Sequence, residues 1–144
     1  MIWKLSLILF AIVGISHLIF GVIYLTANEF MPYHAQALDV DWNSLNENYK
    51  TLFLGLIRLA GAGGLVAGLV NLTLVNYLYH RVESRLIWLL ILSSLIFQFV
   101  TNYVVYYVSR NTPGDPPLLM VSAGSVIFII ATIFLFAGMR GKHA

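Results

Sequence analysis

Four long apolar runs alternate with three polar links along the chain. The runs lie at about residues 5–25, 51–72, 86–108 and 118–138. Each has the roughly 20 mostly apolar residues that a helix needs to cross a hydrocarbon core. The first link, residues 26–50, is the long one: TANEFMPYHAQALDVDWNSLNENYK. The other two, YHRVESR and SRNTPGDPP, are short. The pattern predicts an all-α protein, a four-helix transmembrane bundle forming a single membrane domain over residues 1–144. Pro116 and Pro117 mark the start of the fourth helix, where a missing N–H costs nothing. Ser44-Leu45-Asn46-Glu47 has the spacing of a capping box, so the second helix is expected to begin before the membrane. The first run is too long for the apolar part of a cleaved leader, and Leu25-Thr26-Ala27 is a poor cleavage pattern.

Composition agrees with the pattern. Sixty per cent of the residues are hydrophobic and 10% are charged, where a soluble domain carries about 25% charged residues. A fold of 144 residues has too little interior to hide that much apolar surface from water. The absence of cysteine excludes disulfides, thiolate metal sites and cysteine nucleophiles. A net charge of +2, with no basic run, gives no footprint for nucleic acid.

The basic residues suggest an orientation. Lys4, Arg81, Arg85, Arg140 and Lys142 fall on one side of the bilayer, and Lys50 and Arg110 on the other. The second side also takes Glu29, Asp39, Asp41, Glu47 and Asp115. By the positive-inside rule both termini are cytoplasmic and the long link faces outward. Trp3, Trp42, Trp88 and the Tyr103, Tyr106 and Tyr107 cluster fall near span ends, as interfacial aromatics do.

Polar and small residues recur at helical spacing within the runs. Ala11, Gly14, His17, Gly21 and Tyr24 form one stripe, and Ser94, Gln98, Thr101 and Asn102 another. Ser122, Ser125 and Thr132 share a face of the fourth run. Counted from the span ends, His17, Arg58, Asn102 and Ser125 all fall roughly 10 Å below the outer surface. Lipid cannot satisfy such groups, so they are expected to face inward and meet in a polar pocket. Plain packing and interhelical hydrogen bonding are the bland reading of the same residues. Gly64 and Gly68 form a small-xxx-small pair suited to a homodimer seam or to a contact within the chain.

Arg58 is the residue that demands a partner. Its guanidinium stays charged, and no Asp or Glu lies inside any run. Three answers are open: snorkelling to the headgroups, pairing with a loop acid such as Glu29 or Asp41, or binding an anionic ligand. On the last reading Arg58, His17, Asn102, Gln98, Ser125 and Tyr24 form a ligand site, and Glu29, Tyr33, His34 and Trp42 belong to a loop lying over it as a lid. No metal-ligand frame appears, and a bis-histidine haem would need a second histidine beside His17. There is no GxSxG, HExxH or P-loop frame. A hydrolase pairing His17 with Ser122 or Ser125 would lack its acid.

The order FGVIYL, FMPYH, DWNSL and a helix containing LIRLAGAGG resembles small bacterial four-helix membrane proteins, similar in general shape to the DoxX-like group. The resemblance covers most of the chain through short motifs. It implies four spans and a bacterial inner membrane, and it carries no catalytic residue or cofactor with it.

Three functions follow as expectations. The first is binding of an anionic or polar-headed amphiphile, of the lipid or quinone type, in an outward-facing pocket. The second is an accessory or scaffolding subunit of a larger membrane complex, packed through its glycine-rich second helix. The third is a subunit of an oligomeric transporter. Membrane lipid is the common partner in all three, and whether a reaction occurs is left open.

Overall fold

The computed structural model describes residues 1–140, so Lys142 of the orientation count lies outside the described residues. They fold into five helices: α1 (Ile2–Leu25), α2 (Pro32–Leu38), α3 (Glu47–His80), α4 (Ser84–Asn111) and α5 (Leu118–Arg140). There is no strand among them. Four helices, α1, α3, α4 and α5, are long and apolar enough to cross a membrane. They run up and down in sequence, with α1 packed on α3 and α5, and α4 packed on the same two. The termini mark one end of the bundle, and α2 covers the other, the lid end.

The second long helix does begin early, at Glu47, but not through the predicted box. Asn46 is the N-cap, its Oδ1 accepting from Tyr49 N–H at 3.0 Å. Ser44 lies instead in a 3-10 turn, Trp42–Ser44, with its hydroxyl donated to the Asp41 carbonyl. Asn competes with Ser as an N-cap, and here it stands next to the helix. Glu47 pairs with Lys50 at 3.0 Å one turn on.

Glycines set the distance between α1 and α3. A Cβ on Gly21 would sit 2.5 Å from Leu65 N, and one on Gly61 2.6 Å from Leu25 N. Gly64 meets the Gly21 backbone, and Gly68 lies against Leu18 and the Gly14 carbonyl. The small-xxx-small pair is therefore a contact within the chain. Gly55 and Gly63, on the same helix, face open space.

These contacts also fix relative height. Gly61 is opposite Leu25, so α3 continues roughly 20 Å past the end of α1. The α2 segment and the 3-10 turn occupy the space above that shorter helix. The apolar core is at the terminal end, built on Leu7, Phe10, Val13, Leu78, Leu90 and Leu135. Near mid-height Asn71 of α3 accepts from Ser94 of α4 at 2.9 Å. Beyond that bond, toward the lid, α3 and α4 separate.

Gly61→Ala and Gly21→Ala should each cost about 1–3 kcal/mol, because the added carbon meets backbone. Gly55→Ala should be neutral or slightly stabilising. Thermal unfolding in one detergent checks the contrast; equal losses at all three positions would refute the seam.

Candidate functional site

The separation of α3 and α4 leaves a cavity of about 620 Å³. Phe20 and Tyr24 come from α1, Phe53, Ile57 and Ala60 from α3, and Phe97, Val104 and Val108 from α4. Leu56, Val100 and Val104 line it while remaining half exposed, which opens it sideways between α3 and α4. The lid supplies Phe30, Tyr33, His34, Ala37 and Leu38. Among the described residues no Asp, Glu, Lys or Arg lines it. Thr101 and Thr112, the two lining threonines, donate their hydroxyls to carbonyls of their own chain segment, Phe97 and Val108.

The polar character is concentrated at the lid. The Tyr24 and Tyr33 hydroxyls hydrogen-bond to each other. His34 Nδ1 accepts from the Met31 N–H at 3.1 Å, closing the first turn of α2, with Pro32 leading that turn. That bond fixes the neutral ring as its Nε2–H tautomer. Burial pulls the His34 imidazole below its ordinary value of 6.5. Burial, and then the bond with Tyr24, holds the Tyr33 phenol above its ordinary value.

The lid is held from three sides. Phe30 is 5% exposed and packs edge-on against Trp42 and Phe53. Gln36 Oε1 accepts from Asp115 N–H at 3.2 Å, in the link between α4 and α5. Gly114 lies beneath α2, where a Cβ would be 2.7 Å from the Tyr33 carbonyl. Asp39 ends α2 in the left-handed region, φ 52°, a conformation Asp tolerates better than most residues. Glu29 is exposed and takes no part in the cavity lining.

The proposed site residues do not form one cluster. Gln98, Asn102 and Ser125 do meet. Asn102 Nδ2 donates to Ser125 Oγ at 2.7 Å, and Ser125 Oγ lies 3.4 Å from Gln98 Oε1. This network joins α4 to α5 and does not line the cavity. Tyr24, Tyr33 and His34 form the lid end of the cavity, with Trp42 bracing it through Phe30. His17 is buried, 3% exposed, with neither ring nitrogen hydrogen-bonded.

Arg58 stands apart from all of them. It is exposed, and its Nη2 reaches only the Ala27 carbonyl, at 3.5 Å. Among the described residues the one ion pair is Lys50–Glu47, so neither Glu29 nor Asp41 neutralises it. Around α3, at about 100° per residue, it points away from the face of Leu56, Ile57 and Ala60. The reason is register. Gly68 lies opposite Leu18, so Arg58, ten residues nearer the lid, stands roughly 15 Å above the level of His17. Counting each span from its own edge placed the two at one depth; the helices in fact end at different heights. The guanidinium instead meets a carbonyl just past the C-terminus of α1, the negative end of that helix.

Three further side chains shape the cavity and its frame. Phe97 and Phe20, which periodicity alone does not distinguish from lipid-facing aromatics, both line the cavity. Asn71 is wholly buried and pins α3 to α4, although its Nδ2 has no partner. Its isolation in an apolar stretch was the available signal.

The helices define a multi-pass membrane protein with a laterally open cavity under a folded loop. The chain matches no protein-family model, no curated protein and no solved structure.

The titratable lid histidine gives a signed prediction. Closure favours the neutral imidazole, so its contribution is complete above about pH 6.5 and is lost as the pH falls below that value. Trp42 emission should shift on acidification with a midpoint below 6.5, and the shift should vanish in His34→Gln and Trp42→Phe. A pH-independent Trp42 signal would show that His34 does not control the lid.

Proposed function

We propose that the protein binds a neutral, polar-headed amphiphile of the lipid or quinone type, admitted from the bilayer between α3 and α4. The observation that carries this reading is the cavity itself: about 620 Å³, apolar along its walls, uncharged, and polar only at the lid. Sites for small ligands run from about 300 to 1,000 Å³ and combine apolar walls with a few placed polar groups. An anionic head is disfavoured, since no cation lines the cavity and Arg58 faces elsewhere. The head lies against Tyr24, Tyr33 and the free His34 Nε2, and the tail passes out past Leu56 and Val100.

Scaffolding through the glycines of α3 is the weaker reading, because Gly61, Gly64 and Gly68 are already packed on α1. Transport would need polar groups through the full thickness, and the terminal end is an apolar core. A bacterial inner membrane, cytoplasmic termini and DoxX-like kinship belong to the same proposal. They rest on the basic residues of the links and on the short motifs quoted above.

Two experiments test these points. Gly63 lines the cavity and has free space at its Cβ, so Gly63→Phe should fill the site without disturbing the backbone. Mass spectrometry of gently purified protein should find a small molecule that Gly63→Phe loses and Arg58→Gln keeps. Retention in Gly63→Phe would refute the cavity as the site. For orientation, Asp39→Cys should react with an impermeant thiol reagent on intact cells; reaction only after permeabilisation would invert the topology.

A further inference from the structure

One buried group just behind the cavity lining has no hydrogen-bond partner. His17 is 3% exposed, and neither Nδ1 nor Nε2 makes a hydrogen bond. A neutral imidazole carries one donor and one acceptor, and leaving either unpaired in an apolar interior is costly. Buried orphans of this kind ask for an explanation.

The position of the ring suggests one. Phe97 lies across His17 with ring centroids 4.3 Å apart and planes tilted by 49°. Phe97 also lines the cavity, and Phe20 meets its ring edge-on at 5.7 Å. The Phe97 ring thus touches both the imidazole and the cavity. The cavity of about 620 Å³ lies beside that ring, so there is room for it to turn aside. His17 and Tyr24 are seven residues apart on one helix. That spacing puts them on the same face of α1, roughly 10 Å apart along its axis.

We propose that His17 is the deep anchor of the cavity's ligand, reached when Phe97 turns aside, and that the ligand is a neutral molecule with a hydrogen-bonding oxygen at each end of an apolar body. This rests on the binding function proposed above and specifies its ligand. One oxygen meets Tyr24, Tyr33 and His34 at the lid. The other, a carbonyl or hydroxyl, meets His17 behind the lining. With no charged side chain on the lining, both ends are neutral. The deep end selects for a hydrogen-bonding group because the imidazole has no other partner. A ligand ending in a plain alkyl group leaves His17 orphaned.

The test uses two rigid probes, 4-phenylphenol and 4,4′-dihydroxybiphenyl, which differ only in the second hydroxyl. Binding is measured to the protein in lipid nanodiscs, corrected against empty discs. The ratio of the two affinities is compared between wild type and His17→Phe, so that partition into lipid cancels. The wild type should favour the dihydroxy probe about fivefold more than His17→Phe does, the worth of one hydrogen bond between neutral groups. In parallel, the ¹⁵N resonances of the wild-type His17 ring should move with the dihydroxy probe and stay still with 4-phenylphenol. If Gly63→Phe blocks both probes but the ratio and the resonances do not respond, His17 is not the anchor, and the binding function stands. If neither probe binds in a manner blocked by Gly63→Phe, the binding function falls and this inference with it. Should His17→Phe fail to fold, the wild-type resonances decide: unchanged positions with the dihydroxy probe bound refute the anchor.

Discussion

The close approach of α1 and α3 governs the rest of the molecule. Gly21, Gly61, Gly64 and Gly68 bring two backbones together where a single added carbon would strike main-chain atoms or a packed side chain. In a membrane this closeness is itself a source of stability, because helices there associate through packing and not by expelling water. It has a geometric result as well. With α3 drawn against α1, α4 keeps contact with α3 through the Asn71–Ser94 bond and the apolar core below it. Toward the lid α4 is tied to α5 through Asn102 and Ser125 and touches α1 through Phe97, and the cavity lies between it and α3. The same seam that excludes space on one side of α3 leaves it on the other.

The gap is closed from above by a loop with its own aromatic scaffold. Phe20 stacks on Tyr24 at 4.1 Å, Tyr24 bonds to Tyr33, and Tyr33 lies against His34 at 4.2 Å. Phe30 then ties the group to Trp42 and Phe53. A seven-residue helix would not hold its shape alone in water, since helix nucleation is costly. Here Pro32, the His34 ring and the left-handed Asp39 define its two ends, and Gly114 and Asp115 give it a surface to rest on.

The spans, the early start of α3 and the inward stripe of Gly14, His17 and Gly21 were legible in the sequence, because helical periodicity and bilayer thickness are strong constraints. Ser94 and Gln98 were likewise read correctly as inward-facing. Relative height was not legible. It depends on which residue of one helix meets which of the next, and Gly61 opposite Leu25 is a fact of packing. That single displacement moved Arg58 from the expected polar layer to the end of α1. The N-cap was misassigned for a local reason: Ser44 and Asn46 are both good caps, and only the 3-10 turn at Trp42–Ser44 decides between them. The apolar character of the cavity was hidden because an aromatic that lines a void and one that faces lipid look alike in a string of letters.

If the cavity binds a molecule from the bilayer, as proposed, the sideways opening past Leu56, Val100 and Val104 changes what competition means there. A molecule arriving there has already left water, so its solubility in the aqueous phase no longer enters the comparison. Rivals are weighed by their abundance within the leaflet and by how well they replace the bulk lipid that would otherwise occupy the opening. A scarce compound can hold such a site only by making contacts that ordinary acyl chains cannot.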